Sequence, residues 1–233
     1  MWAVCGLVAL VLGLWSGIAG LQSLARADYL PYGIDFGGPT GRFSNGKTTV
    51  DVIAQLLGFD NYIPPYVNAR GQDILKGVNY ASAAAGIREE TGRQLGGRIS
   101  FSGQILHDYG ARKFVLFGVG QIGLKSLVDQ FNSNTPDSKF IYIDSYGIFQ
   151  DIINSPATFG FRVTNTGCCG VGRNNGQITC LPLQTPCQNR DEYLFWDAFH
   201  PTEAGNTVVG RRAYSAQRPS DAYPIDIRRL AQL

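Results

Sequence analysis

The chain has 233 residues, of which 44% are hydrophobic and 16% charged, enough for one sizeable globular core. Its 20 basic residues stand against 18 acidic ones, a net charge of +2, and the densest basic spots are only the pairs Arg211-Arg212 and Arg228-Arg229. A balance this even, with no Lys/Arg run, speaks against a nucleic-acid partner.

Met1 to about Ala27 reads as a secretory leader. An apolar run from Val4 to Trp15 is followed by small residues, and Gly17-Ile18-Ala19 or Ala25-Arg26-Ala27 offer cleavage sites. The run is shorter than the ~20 residues a spanning helix needs, so export rather than stable membrane insertion is expected. Residues 28–233 are then expected to form a single domain. The segment Gly37-Gly38-Pro39-Thr40-Gly41 is turn chemistry. Thr48 next caps a helix whose inner face is Val50, Ile53, Ala54 and Leu57 and which ends at Gly58. Pro64-Pro65 breaks the chain, and Gly77-Val78-Asn79-Tyr80-Ala81-Ser82 reads as a short strand entering the small-residue turn Ala83-Ala84-Ala85-Gly86.

Two near-continuous apolar runs, Lys113 to Val119 and Lys139 to Asp144, have the pattern of parallel strands covered on both faces. Leu124, Leu127, Val128 and Phe131 keep helical spacing between them, which completes a strand–helix–strand unit with a right-handed crossover. A last helix follows His200 with Val208, Val209 and Ala213 inward, and the polar tail after Pro219 is expected to be loosely held. The pattern predicts a three-layer α/β domain.

Cys5 lies in the leader, and the other four cysteines, Cys168, Cys169, Cys180 and Cys187, crowd into one region. Pairing the neighbours Cys168 and Cys169 is strained, which leaves a crossing and a nested connectivity. Each bridge closes a short loop worth roughly 3 kcal/mol. A Cys-Cys start with wide later gaps suits zinc poorly, and two histidines in the whole chain offer few metal ligands. One of them, His200, stands three residues after Asp197, the spacing of a carboxylate that orients an imidazole for proton transfer. The other pair, His107-Asp108, reads as surface loop, and Phe59, Tyr62 and Tyr66 as core or rim aromatics, with the lining of an acyl pocket as the alternative.

Five segments together resemble the plant GDSL esterase/lipase family. They are Gly33-Ile34-Asp35-Phe36, Pro39 to Lys47 (Pro-Thr-Gly-Arg-Phe-Ser-Asn-Gly-Lys), Gly77 to Ser82, Gly167-Cys168-Cys169-Gly170, and Trp196 to Thr202 (Trp-Asp-Ala-Phe-His-Pro-Thr). The resemblance covers nearly everything from Ala25 to Leu233 and implies an SGNH-type hydrolase. Such an enzyme is a flavodoxin-like parallel sheet that cleaves acyl-lipid or small esters without metal or cofactor. It implies His200 as general base, Asp197 as its orienting carboxylate, and Gly86 as an oxyanion donor.

Three departures accompany the resemblance. No Gly-Asp-Ser occurs to supply a nucleophile, no Gly-x-Asn-Asp occurs, and Gly118 to Gly123 runs straight into Leu124-Lys125-Ser126 where the family has a longer cysteine-containing segment. Ala83-Ala84-Ala85 also stands where many relatives have glycines. In the family's sheet the two absent motifs end the first and third strands, so the sheet is expected to be incomplete. The uncleaved Val4 to Trp15 run is one candidate to fill part of that gap. Ser16, Ser23, Ser44, Ser82 and Ser102 are the serines available near the N-terminus, each read as a turn or cap residue rather than a nucleophile on a strand-to-helix elbow. The expectation is an ester hydrolase by descent that has lost its nucleophile; the alternative is a secreted remnant that binds ligand or has no function.

Overall fold

The apolar runs that begin at Lys113 and Lys139 form the middle of the sheet. A computed structural model describes residues 7–10, 26–64, 112–118 and 124–233. In chain order these contain β1 (Leu7–Leu10), α1 (Thr49–Leu56), β2 (Lys113–Phe117), α2 (Lys125–Asn134), β3 (Lys139–Ile143) and α3 (Ser145–Asn154). Then follow β4 (Val163–Gly167), β5 (Tyr193–Phe195), α4 (Glu203–Tyr214), β6 (Ala222–Tyr223) and α5 (Ile227–Gln232). The main sheet has the order β1-β2-β3-β6, and β4 and β5 form a separate parallel pair. β2 and β3 run parallel, from Lys113 opposite Lys139 to Phe117 opposite Ile143.

Side chains alternate across this sheet with period two. Val115, Phe117, Ile141 and Ile143 face a core completed by Ile148 and Ile152 of α3, Val209 of α4 and Leu230 of α5. Leu116 and Tyr142 face the other way, onto Val128 of α2. Helices thus cover both faces of β2 and β3, the three-layer α/β arrangement that the apolar runs predict. Asp144 terminates β3 and starts α3, its carboxylate accepting the Gly147 N–H at 2.9 Å. Among the described residues no helix is long and apolar enough to cross a membrane.

α1 begins where the sequence places it. The Asp51 carboxylate accepts from both the N–H and the hydroxyl of Thr48, at 2.8 and 2.7 Å. Gly58, at φ +81°, follows its C-terminal turn. α1 lies close against α4: a Cβ on Gly210 would stand 2.8 Å from Val52.

β1 lies in the apolar Val4 to Trp15 run, the candidate offered above to fill the gap in the sheet, and it pairs in parallel with β2, Leu7 opposite Lys113 through Leu10 opposite Leu116. One feature differs from the sequence reading. The tail after Pro219 is not loose. β6 pairs antiparallel with β3, Ile227 and Leu230 are fully buried, and buried Asp221 accepts from Arg212. Composition misled here, because the polar residues of the tail are themselves tied into the structure. The expected strand at Gly77 to Ser82 lies outside the described residues, as do Gly86, Tyr66, His107, Asp108, Ser16, Ser23, Ser82 and Ser102.

Candidate active site

β5 ends at Phe195, and the chain folds back within five residues. The Trp196 N–H donates to the His200 carbonyl at 2.7 Å. Asp197 closes the same turn with its side chain, its Oδ1 accepting the N–H of Phe199 and of His200 at 2.9 Å each. That turn explains the three-residue spacing, since the carboxylate that caps the loop also lies against the imidazole. His200 Nδ1 stands 2.7 Å from Oδ1 and 3.0 Å from Oδ2 of Asp197. A carboxylate at Nδ1 keeps the ring proton there and leaves Nε2 as the basic atom. Both residues are buried, Asp197 to 1% exposure and His200 to 5%.

Pro201-Thr202 then launch α4 on a fixed line. The Thr202 hydroxyl donates to the Tyr193 carbonyl at 2.7 Å and accepts the Gly205 N–H at 3.1 Å, while its own N–H donates to the Leu194 carbonyl. The dyad is therefore pinned to β5 on one side and to the start of α4 on the other.

Sequence reasoning missed a third participant. Tyr32 is fully buried and its hydroxyl donates to Asp197 Oδ2 at 2.6 Å. Burial, followed by the charge of Asp197, pushes this phenol far above its usual range, so it stays a donor at any working pH. Tyr32 sits one residue before the matched Gly33-Ile34-Asp35-Phe36 block. Its aromatic neighbours were the available signal, because a buried Tyr hydroxyl needs a partner. Its ring meets those of Tyr29, Phe43 and Trp196 edge-on. Phe43 in turn stacks on the His200 ring with centroids 4.6 Å apart, and Phe199 approaches that ring edge-on at 6.1 Å. The buried Trp196 Nε1 has no hydrogen-bond partner among the described residues.

The block from Gly33 to Lys47 builds the wall that presents Tyr32 and Phe43. Gly33 has φ +68°, and a Cβ there would stand 2.1 Å from the Gly38 carbonyl oxygen, so only glycine closes this turn. Arg42 grips Asp51 with two hydrogen bonds of 2.7 Å and lies 4.5 Å over the Phe36 ring. The Asn45 side chain donates to Asp35 at 2.8 Å and accepts the Glu203 N–H at 2.8 Å, joining the wall to the first turn of α4. The motif residues are scaffold around the dyad.

The cysteines resolve the open connectivity as nested: Cys168 pairs with Cys187, and Cys169 with Cys180. The Cys168 and Cys169 N–H groups donate to the Phe195 and Trp196 carbonyls, at 2.9 and 2.6 Å, so the crosslinked loop lies directly against the strand that delivers Asp197. Of the N-terminal serines, Ser44 is described and buried, with its Oγ 3.4 Å from Asn45 Oδ1 and from the Gly46 nitrogen. Among the described residues no serine hydroxyl hydrogen-bonds the His200 ring. Tyr62 packs as rim, its ring against Phe36 at 4.9 Å and its hydroxyl accepting from Gln55.

Comparison with known proteins adds independent findings. A family model described as GDSL-like Lipase/Acylhydrolase matches residues 120–213. GDSL esterase/lipase At1g29670 of Arabidopsis thaliana is 50% identical over an alignment of 316 positions, covering 92% of this chain and 87% of the relative. GDSL esterase/lipase At5g45670 of the same plant is also 50% identical, covering 91% and 88%. A third, GDSL esterase/lipase At4g18970, is 48% identical with the same coverage. These alignments are longer than the chain's 233 residues, so stretches of each relative stand opposite gaps here.

Proposed function

The chain belongs to the GDSL-like lipase/acylhydrolase family, and from that premise we propose that it carries the proton-transfer half of a carboxylic ester hydrolase. His200 is the general base, Asp197 holds its tautomer and orientation, and an acyl lipid or small ester is the substrate class. The observation that carries this reading is the buried 2.7 Å contact between His200 Nδ1 and Asp197 Oδ1. An intact site of this kind needs a hydroxyl within reach of Nε2 and amide donors for the oxyanion. The chain contains no Gly-Asp-Ser and no Gly-x-Asn-Asp to provide them. It therefore turns esters over poorly or not at all and acts as a secreted relative that retains the dyad without the acyl-enzyme step.

Hydrolysis of p-nitrophenyl butyrate by the purified chain and by His200→Ala tests this. Equal, near-background rates are expected. Turnover that disappears in His200→Ala would place a working nucleophile in the chain and overturn the inactive reading.

Export belongs to the same proposal. Two disulfides beside the site suit an oxidising compartment, and the apolar N-terminal run has leader character. The pairing of Leu7–Leu10 with β2 gives that run a competing place in the folded sheet. N-terminal sequencing of the protein recovered from culture medium separates the two: a start near Ala19 or Ala27 supports the leader, whereas a start at Met1 rejects it.

A further inference from the structure

We propose that Tyr32 is a positioning residue of the dyad, its hydroxyl holding Asp197 Oδ2 and drawing carboxylate charge away from the imidazole, so that it sets the basicity of His200. The proposal rests on the assignment of Asp197 and His200 as the proton-transfer pair and goes beyond it.

Asp197 accepts through both oxygens, but unequally. Oδ1 takes the two loop N–H groups and the nearer imidazole contact, so it is saturated by its own turn. Oδ2 receives the imidazole at 3.0 Å and the Tyr32 hydroxyl at 2.6 Å. Among the described residues Tyr32 is thus the one donor to Oδ2 besides the base itself. An O–H···O⁻ contact of this length belongs to the strong class. Among the described residues no Lys or Arg forms an ion pair with Asp197. Tyr29 also feels its charge, and its hydroxyl donates to the Cys180 carbonyl at 2.7 Å.

The placement of Tyr32 is built rather than incidental. Its hydroxyl reaches Asp197 across 165 positions of sequence. The turn that carries it is fastened to the crosslinked loop at two successive residues just before Tyr32: the Tyr29 hydroxyl donates to the Cys180 carbonyl, and the Leu183 N–H donates to the Leu30 carbonyl at 2.8 Å. Within the turn the Tyr32 N–H donates to the Tyr29 carbonyl at 3.1 Å. The cysteine loop therefore braces Tyr32 from one side while its own N–H groups brace the strand before Asp197 from the other.

Removing the hydroxyl and keeping the ring leaves the buried carboxylate with one donor fewer. Its charge then leans more on the imidazolium, the protonated form gains, and the His200 pKa rises. Hydrogen bonds to charged groups set the scale at roughly one pKa unit.

The test titrates the imidazole by NMR, following the Hε1–Cε1 signals in the full chain. The His200 signal is identified by its loss in His200→Gln. Tyr32→Phe is expected to raise the His200 pKa by roughly one unit, and to change nothing when Asp197→Asn is already present, because the effect passes through the carboxylate. A fluorotyrosine at position 32, a stronger donor, shifts the value downward and provides a second route should Tyr32→Phe fold poorly. An unchanged titration in Tyr32→Phe or fluorotyrosine protein, or the same shift in the Asp197→Asn background, overturns the proposal. Because the readout is ionisation and not turnover, failure here is distinct from failure of the hydrolase reading, which the ester assay alone decides.

Discussion

Asp35 shows what individual residues of the recognisable blocks contribute. Arg190 donates to its two oxygens at 2.7 and 2.8 Å and Asn45 adds a third bond, which together hold its carboxyl below the usual carboxylate range. A depressed folded pKa stabilises the protein above the unfolded value, and that contribution is lost as pH falls through the folded value. Asp35→Asn is therefore expected to lower the melting temperature at pH 6 to 7, with the gap to wild type closing as pH drops below about 4. Thermal melts at several pH values check this; a gap that persists in acid would remove the charge from the explanation. The Asp197/His200 pair was legible because its geometry is local, a turn closed by the carboxylate that also touches the ring. Tyr32 was not legible, because its partner lies at the far end of the chain and no short spacing connects them.

Among the elements, α1 was readable to the residue at its start because Thr48, Asp51 and Gly58 act through nearby backbone. The last segment was not. Arg211 and Arg212 look alike in sequence, yet one is exposed and the other lies at 2% exposure inside the molecule. Successive residues of a helix do not share a face. Arg212 reaches Asp221, with Nε to Oδ2 at 3.0 Å and a second, shorter bond to Oδ1, and also Asp151 at 2.8 Å. Removing Asp221 leaves the buried guanidinium with Asp151 in place of two carboxylates and takes the acceptor from the Gln217 and Arg218 N–H groups, so Asp221→Ala is expected to cost about 3 kcal/mol. Urea unfolding measures it, and a loss under about 1 kcal/mol would assign the network to the surface-pair class. Tertiary pairing, not local composition, orders the tail.

At the scale of the molecule, β2 and β3 announced their burial through unbroken apolar runs, and the α/β class followed. β2's other neighbour followed only as far as a candidate, the Val4 to Trp15 run, since strand pairing is made by backbone groups that carry no residue code. β1 fills that place with Leu7–Leu10. A chain begun at Asp28, the product of leader cleavage after Ala27, decides whether this strand belongs to the folded protein: self-association, which light scattering after size-exclusion chromatography detects, would assign Leu7–Leu10 a needed place beside β2. A monodisperse monomer of that shortened chain would show that β1 is dispensable. In the core, Ile141 is fully buried between the layers, and Ile141→Ala is expected to lose about 2–5 kcal/mol in the same urea experiment.

The nested crosslinks have a consequence for how this molecule breaks. Leu183 projects at 84% exposure with φ +61° between Cys180 and Cys187, the most accessible large apolar side chain among the described residues. A protease that clips there severs the backbone between Tyr32 and His200, yet the Cys168–Cys187 bond still staples the two pieces. The clipped protein migrates as one species on a non-reducing gel and as two after dithiothreitol. Preparations judged intact by the first gel alone thus conceal a cut in the strap behind the dyad.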